Sequence, residues 1–390
     1  MRSGPALDEV PWADLHGADG PSTRVPELLR ALRDPDPAVR EPAHSDLASH
    51  ICGQSVWQVA AATVPFLVEL VDDPATPDRP WVLATLANAS LGRRDAGDLP
   101  FSAEAAYPLA DGLTDEQERQ QTAWLYDDQH EVELDDPYFW DRYLSDRWSY
   151  RAYQACVARL DAVVRWVADP DGEVVTRAAA LLAWFPVTEP ILDALLAAGA
   201  PGRASANLAL AVVGVRDRRI EQRLHEGLAS ADPTVALTAA AALAYRNGRH
   251  VPVTVRRMLA ACTEPPTEPL AGWDDCALPD YRALPHFVTT AQARADGGGD
   301  RAWTLNVYFA PHAPADVDRI AAAVARQDAM TVSSLSYSEP YRVVELTTRP
   351  MARDEALARL GALLPGLDLP ESARVHVAET DEVFRLADIS

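Results

Sequence analysis

Apolar positions recur along most of the chain at the three- and four-residue steps of amphipathic helices, and only towards the C-terminus at the two-residue step of strands. The spacing predicts a helix over residues 25–33, with Val25, Leu28, Leu29 and Leu32 on one face. The run Asp34-Pro35-Asp36-Pro37 stops it and opens a second helix. Asp36 is placed to accept from the first free N–H groups, and Pro37 takes the first helical position, where its missing N–H is not needed. Val39, Ala43 and Leu47 follow along one stripe. The same aspartate and stripe return at Asp171, Val174, Ala178 and Leu182, and again at Asp232, Val235, Ala239 and Leu243. A single helix pair cannot bury such a stripe, whereas stacked pairs can. An intermediate, degenerate unit is expected in helices near residues 189–198 and 203–213.

Beyond Cys262 the pattern changes. Residues 265–300 are rich in proline and glycine and read as a linker, with ADGGGD at 295–300 as a hinge. Past it, strands are expected at 304–309, 330–336, 341–347 and 375–378, and helices at 315–326 and 354–364. That order, βαββαβ, is the split βαβ arrangement of a ferredoxin-like α+β domain over residues 301–390.

The helical periodicity is interrupted by an insert at about residues 97–148. A polar helix is expected at 114–126 and an acidic loop at 127–137. A helix then resumes by Trp148 or earlier, since Tyr150, Tyr153, Val157, Leu160 and Val164 return at helical steps. Residues 124–153 hold nine of the chain's 28 aromatics and eight carboxylates against three arginines. Tyr138, Trp140, Tyr143 and Trp148, with Asp141 and Asp146 beside them, are too many large rings for one helix face to hide. Their composition suits an interface core or an aromatic cage for a cation. The competing reading is that they fill the gap where the insert breaks the stack, and both stay open. His50 and Gln54, one helical turn apart, and Trp57 after them form a further candidate set that could orient a ligand or brace a loop.

The stretch WADLHGADGPSTRVPELLRALRDPDPAVREPAHSDLASHICGQSVWQVAAATVPFL resembles the opening of bacterial HEAT-repeat proteins, and the resemblance covers roughly residues 12–264. It implies a mainly α protein in which residues 1–264 form a HEAT-like α-solenoid carrying the insert. Such scaffolds commonly bind proteins, and some carry DNA glycosylases or lyase-type chromophore enzymes. On a glycosylase-like plan, Trp140 or Trp148 would contact the base, and Asp141 or Asp146 would stabilise the developing cation.

Charge separates these options. The net charge is −23 and the pI about 4.7, a field that repels phosphate backbones and favours cationic partners. All 35 basic residues are arginine, a coding bias rather than chemistry. The one basic run, Arg216, Arg218, Arg219 and Arg223, reads as a solvated helix face paired with Glu221. His130, Glu131, Glu133, Asp135 and Asp136 could supply metal ligands, but they show neither an HExxH motif nor the glycine spacing of an EF-hand, and His130-Glu131 and His225-Glu226 are too few for a di-iron site. No nucleophile elbow, phosphate loop or dinucleotide fingerprint is found, and no cofactor is expected. The scattered cysteines read as reduced, structural thiols. With no leader-like N-terminus and no apolar run near the ~20 residues of a membrane helix, a cytoplasmic location is expected. The chain therefore reads as a non-enzymatic binder of a protein with a basic surface, inhibitor- or antitoxin-like. The alternative is an enzyme, either glycosylase-like or acting on a small cationic or aromatic metabolite.

Overall fold

The computed structural model describes residues 6–53, 55–126, 137–262, 268–275, 282–295, 304–309, 323–324, 330–336, 342–348, 353–363, 374–377 and 382–385; for 137–142 and much of the C-terminal sheet only the backbone is described. The chain divides into two units, residues 1–242 with 264–287, and residues 243–263 with 288–390.

The first unit is a double layer of stacked helices. One layer holds α1 (Val25–Ala31), and the other holds α2 (Pro37–Cys52), against which it packs. The pairing repeats in α3 (Ala60–Asp72) with α4 (Arg79–Leu91). An insert follows, made of α5 (Ala103–Ala106), α6 (Asp115–Leu125) and α7 (Pro137–Val157). Pairing resumes with α8 (Leu160–Trp166) on α9 (Gly172–Leu182), then α10 (Glu189–Ala197) on α11 (Arg203–Val212). The last pair in this series is α12 (Arg218–Gly227) and α13 (Pro233–Asn247). Along the layers α4 packs directly on α9 and α3 on α8, so the stack is continuous across the insert. Asn207 of α11, buried, ties it onward by donating from Nδ2 to Val235 O and Thr238 Oγ1 of α13, each at 3.2 Å.

The repeated aspartates act as anticipated. Asp36 accepts from Ala38 N at 2.9 Å, Asp171 from Glu173 N at 2.9 Å, and Asp232 from Thr234 N at 2.8 Å. Of the matched stripes, Ala43, Leu47, Val174, Ala178, Leu182, Val235, Ala239 and Leu243 are buried. Val39 is the exception at 42% exposure. Arginines seal the joints between pairs. Arg40 donates from Nε to Asp78 at 2.8 Å and from Nη1 to the Asp34 and Pro35 carbonyls. Arg79 forks onto Asp169 through Nη1 at 3.0 Å and Nη2 at 2.5 Å, and its Nε donates to Val71 O, both side chains being about nine-tenths buried.

The stretch whose composition reads as a linker is built in part onto this stack. Trp273 is 2% exposed, and α15 (Ala283–Ala295), the helix after α14 (Val253–Ala261), lies within the stretch.

The second unit contains α14, whose Leu259 O accepts from Gln292 Nε2 at 2.7 Å, and a small C-terminal α+β region. Strands β3 (Thr304–Phe309), β4 (Met330–Ser336), β5 (Arg342–Thr348), β6 (Arg374–Val377) and β7 (Glu382–Arg385) form one antiparallel sheet in the order β4-β5-β3-β6-β7. In the first unit β1 (His16–Gly17) and β2 (Gly20–Pro21) form a short N-terminal hairpin. Alternate residues Leu305, Val307, Val344, Leu346 and Val375 are fully buried, as are Ala356 and Leu360 of the helix Arg353–Leu363. β7 is an addition to the four strands that the sequence pattern gave. The helix expected at 315–326 lies outside the described residues except at 323–324.

Among the described residues no helix is long and apolar enough to cross a membrane.

Candidate site in the acidic-aromatic insert

The insert folds around one buried carboxylate. Thr114 caps α6, its Oγ1 accepting from Gln117 N while Gln117 Oε1 accepts from Thr114 N at 2.8 Å. That start sets Glu118 one turn in, facing α7, and leaves it 3% exposed. Glu118 Oε1 accepts from Trp148 Nε1 at 2.9 Å and Arg151 Nη1 at 2.8 Å, and Oε2 from Arg147 Nε at 2.8 Å. Arg147 also donates from Nη1 to Leu113 O at 2.7 Å, and both arginines reach Asp115. Two of the three arginines in the aromatic stretch are thus consumed inside the insert.

On α7, Leu144, Trp148, Ala152 and Cys156 follow at four-residue steps and are all buried. Trp148 packs with Leu113 and Leu144, and Tyr143 and Trp57 lie partly buried against this group. Tyr143 fits because its ring stands where a Cβ on Gly112 would lie, 2.3 Å from Cε1. Rings then continue toward the N-terminal hairpin: Trp148 to Trp57 at 6.1 Å, Trp57 to Tyr126 at 6.3 Å, and Tyr126 stacked on His16 at 4.7 Å. Tyr126 closes the line by donating its hydroxyl to Gly17 O at 2.7 Å. The Trp57 indole N–H is buried without a hydrogen-bond partner. Asp146 accepts from Leu109 N at 3.0 Å, which fixes the turn ahead of α6. Tyr138, Trp140 and Asp141, for which the backbone alone is described, and Gln54 and the acidic loop at 127–136 lie outside the described side chains.

A cation does sit against aromatic rings here, and the chain supplies it. The Arg94 guanidinium lies 5.2 Å from the Phe101 ring centre and 5.3 Å from that of Tyr107. Neither ring belongs to the stretch singled out by composition.

His50 belongs to a separate constellation at the N-terminal hairpin. Its Nε2 is 2.9 Å from Ser22 Oγ, and its Nδ1 is 3.7 Å from Asp19 Oδ2. An acyl-transfer triad has an accessible serine and a sheltered carboxylate. The exposures here are reversed, Ser22 at 1% and the Asp19 side chain at 86%. His50 is better suited to pinning the hairpin onto α2. It lines an open groove of about 250 Å³ with Asp19, Arg24, Asp46 and Ser49. Burial lowers its pKa from the ordinary histidine value against the opposing pull of Asp19.

His44, one turn and a half earlier on α2, is 2% exposed and stacks on Trp81 of α4 at 3.8 Å and 11°. Burial pushes its pKa down to about 4. A histidine whose folded pKa is depressed contributes stability that is complete above its unfolded pKa of about 6.5 and is lost as pH falls towards the folded value. The His44→Phe variant, which keeps the stacked ring, is therefore expected to flatten the fall in thermal midpoint between pH 7 and 4. An unchanged slope would assign that fall to other groups.

Two arginines of the basic run, both on α12, have partners within the fold. Arg219 reaches Glu189, Asp193 and Asp217, and Arg223 donates to Ala198 O at 2.8 Å. Among the described residues no group of three or more His, Cys, Asp or Glu side chains is placed to hold a metal ion. No protein-family model matches the chain, and no curated protein matches it significantly.

Glu118, Arg94, Ser22 and Trp273 were not among the residues that the sequence pattern marked. The Thr114-x-x-Gln117 capping pattern was the one available signal for where α6 starts, and hence for the face on which Glu118 falls.

Proposed function

We propose that this protein is a HEAT-like α-solenoid that binds a protein partner with a basic surface through the outer side of its insert, as an inhibitor or antitoxin does, without catalysing a reaction. The arrangement of charge in the insert carries the reading. Arg147 is turned inward onto Glu118 and Arg151 pairs with Glu118 and Asp115, while Glu104, Asp111, Asp115 and Glu116 are exposed, Glu116 being paired with the exposed Arg119, and Leu125 at the end of α6 is 37% exposed. Exposed acids and an accessible apolar residue on one insert fit a basic partner with an apolar anchor. Trp148 and Asp146 serve as supports in this reading, and Tyr143 with Tyr138, Trp140 and Asp141 at the start of α7 are the contact candidates. The C-terminal sheet we read as a ferredoxin-like domain with an added edge strand, supported by the order of its first four strands.

A glycosylase-like role is less well supported, since Asp146 is engaged with Leu109 N, Trp148 is buried and Arg219 is neutralised. An enzyme for a small cationic or aromatic metabolite at the insert is the other alternative, and the groove of Asp19, Asp46 and His50 does not suit a cation, since Arg24 lines it and pairs with Asp46 at 3.2 Å.

The test is recovery of partners from lysate by wild type and by the triple variant Glu104→Gln, Asp111→Asn, Glu116→Gln. The expected result is one basic protein retained by wild type at about 50 mM salt and released at about 500 mM, where the Debye length has shrunk roughly threefold. The variant should lose that protein at both salts. Equal recovery by the two chains would sink the insert as the contact surface.

A further inference from the structure

Residues 270–275, Leu-Ala-Gly-Trp-Asp-Asp, form a strap without regular secondary structure that crosses α11, α9 and α4. Its anchor is Trp273, 2% exposed, which donates from Nε1 to Ser205 Oγ of α11 at 2.7 Å. Gly272 precedes it at φ +83°, and a Cβ there would lie 2.8 Å from Arg177 Cα and 2.7 Å from Ala180 Cβ of α9. Only glycine brings the backbone this close and turns it this way. Asp275 forms an ion pair with Arg177, and its carbonyl accepts from Asn88 Nδ2 of α4 at 3.3 Å. Within the strap, Asp274 accepts from Leu270 N at 2.6 Å, and Asp275 from Gly272 N at 3.1 Å.

These are the elements of a peptide complex: an aromatic anchor with its N–H satisfied, a glycine where the backbone must approach, and a charge-assisted clamp after it. The clamp is incomplete. Arg177 Nε is buried with no acceptor, and Arg203 Nε on the neighbouring α11 is in the same condition. A buried guanidinium N–H without an acceptor carries its desolvation cost uncompensated. A ligand with one more acceptor at this point would satisfy it.

We propose that the face formed by α4, α9 and α11 is a recognition site for an acidic segment of a partner protein bearing Gly-Trp followed by carboxylates, held closed in this chain by its own strap. The site is separate from the insert and opposite to it in preference, taking acids where the insert takes bases.

The probe is a labelled peptide of residues 269–277 with Cys276→Ser, titrated into the full-length chain. Trp273→Ala, which empties the site, should bind it at least tenfold more tightly than wild type, and a peptide with alanine for the tryptophan should not bind. A folded Trp273→Ala chain that binds no better than wild type overturns the proposal. Hydrogen exchange on the wild-type chain gives an independent readout that does not depend on that variant folding. Excess peptide should speed exchange at Leu270 and Gly272 N–H, and no acceleration would count as refutation. A wild-type dimer that the peptide dissociates would assign the site to a second copy of the chain and overturn the partner reading.

Discussion

Replacing Glu118 with alanine is expected to destabilise the first unit by about 3–5 kcal/mol, the cost of leaving buried charge without its partner. Glu118 is the one carboxylate that Arg147, Arg151 and the Trp148 indole all share, and the Arg147 side chain is only 11% exposed. Asp115 cannot take over, because its side chain is 83% exposed and its pairing is screened by solvent. Arg151→Ala makes the informative contrast. Its side chain is 43% exposed and Glu118 keeps Arg147 and Trp148 without it, so truncating it is expected to cost about 1 kcal/mol. Urea unfolding followed by tryptophan fluorescence reports on both, since Trp57 and Trp148 lie beside the carboxylate. Similar midpoints for the two variants would remove Glu118 from the centre of the insert.

Arg79→Met should cost a comparable amount, about 3–5 kcal/mol, for the same reason. It leaves Asp169 buried without its counter-ion and Val71 O without its donor. The pair also has a pH signature. Burial alone would raise the Asp169 pKa, but hydrogen bonds from Arg79 and Asp171 N hold it below the ordinary carboxylate value. A carboxylate depressed in the folded state stabilises fully above its unfolded pKa of about 3.9 and loses that contribution as pH falls through the folded value. Wild type should therefore hold this contribution down to roughly pH 4 and lose it below, whereas Arg79→Met starts lower and shows a shallower acid limb. Thermal midpoints at a series of pH values distinguish them, and parallel acid limbs would contradict the assignment.

Much of the helical stack could be read from the chain because its rules are local. An aspartate caps the helix beginning after it, and apolar residues at three- and four-residue steps define the face that must be covered. The unit built on α4 escaped notice for a local reason as well. Asp78 takes φ +51° and makes no side-chain cap, and Trp81, Thr85 and Ala89 stand where the other copies have valine, alanine and leucine. The strands were legible from alternation, except Glu382–Arg385, whose four residues show too little of it. What stayed hidden depends on partners remote in sequence. Glu118 looks like one more acid in a polar helix until Arg147 and Arg151 are brought to it. Trp273 sits among prolines and glycines that read as a linker, and its partner Ser205 lies 68 residues away. Of the candidate residues, Trp148, Tyr143 and Trp57 converge on one group, Asp146 braces the turn before α6, and His50 belongs to the hairpin.

The strap has one further consequence, in the order of events during synthesis. Asn88 and the Asp275 carbonyl it holds are 187 residues apart, so the helices that receive the strap are made long before it is. At about 5–20 residues per second, α4 waits roughly 10–40 s for Asp275 to be added. Through that interval the nascent chain carries the face of α4, and then those of α9 and α11, with the Trp273 position empty. A newly made molecule therefore passes through an open form before it closes on itself, and a chaperone or partner that engages this face has its best opportunity on the ribosome.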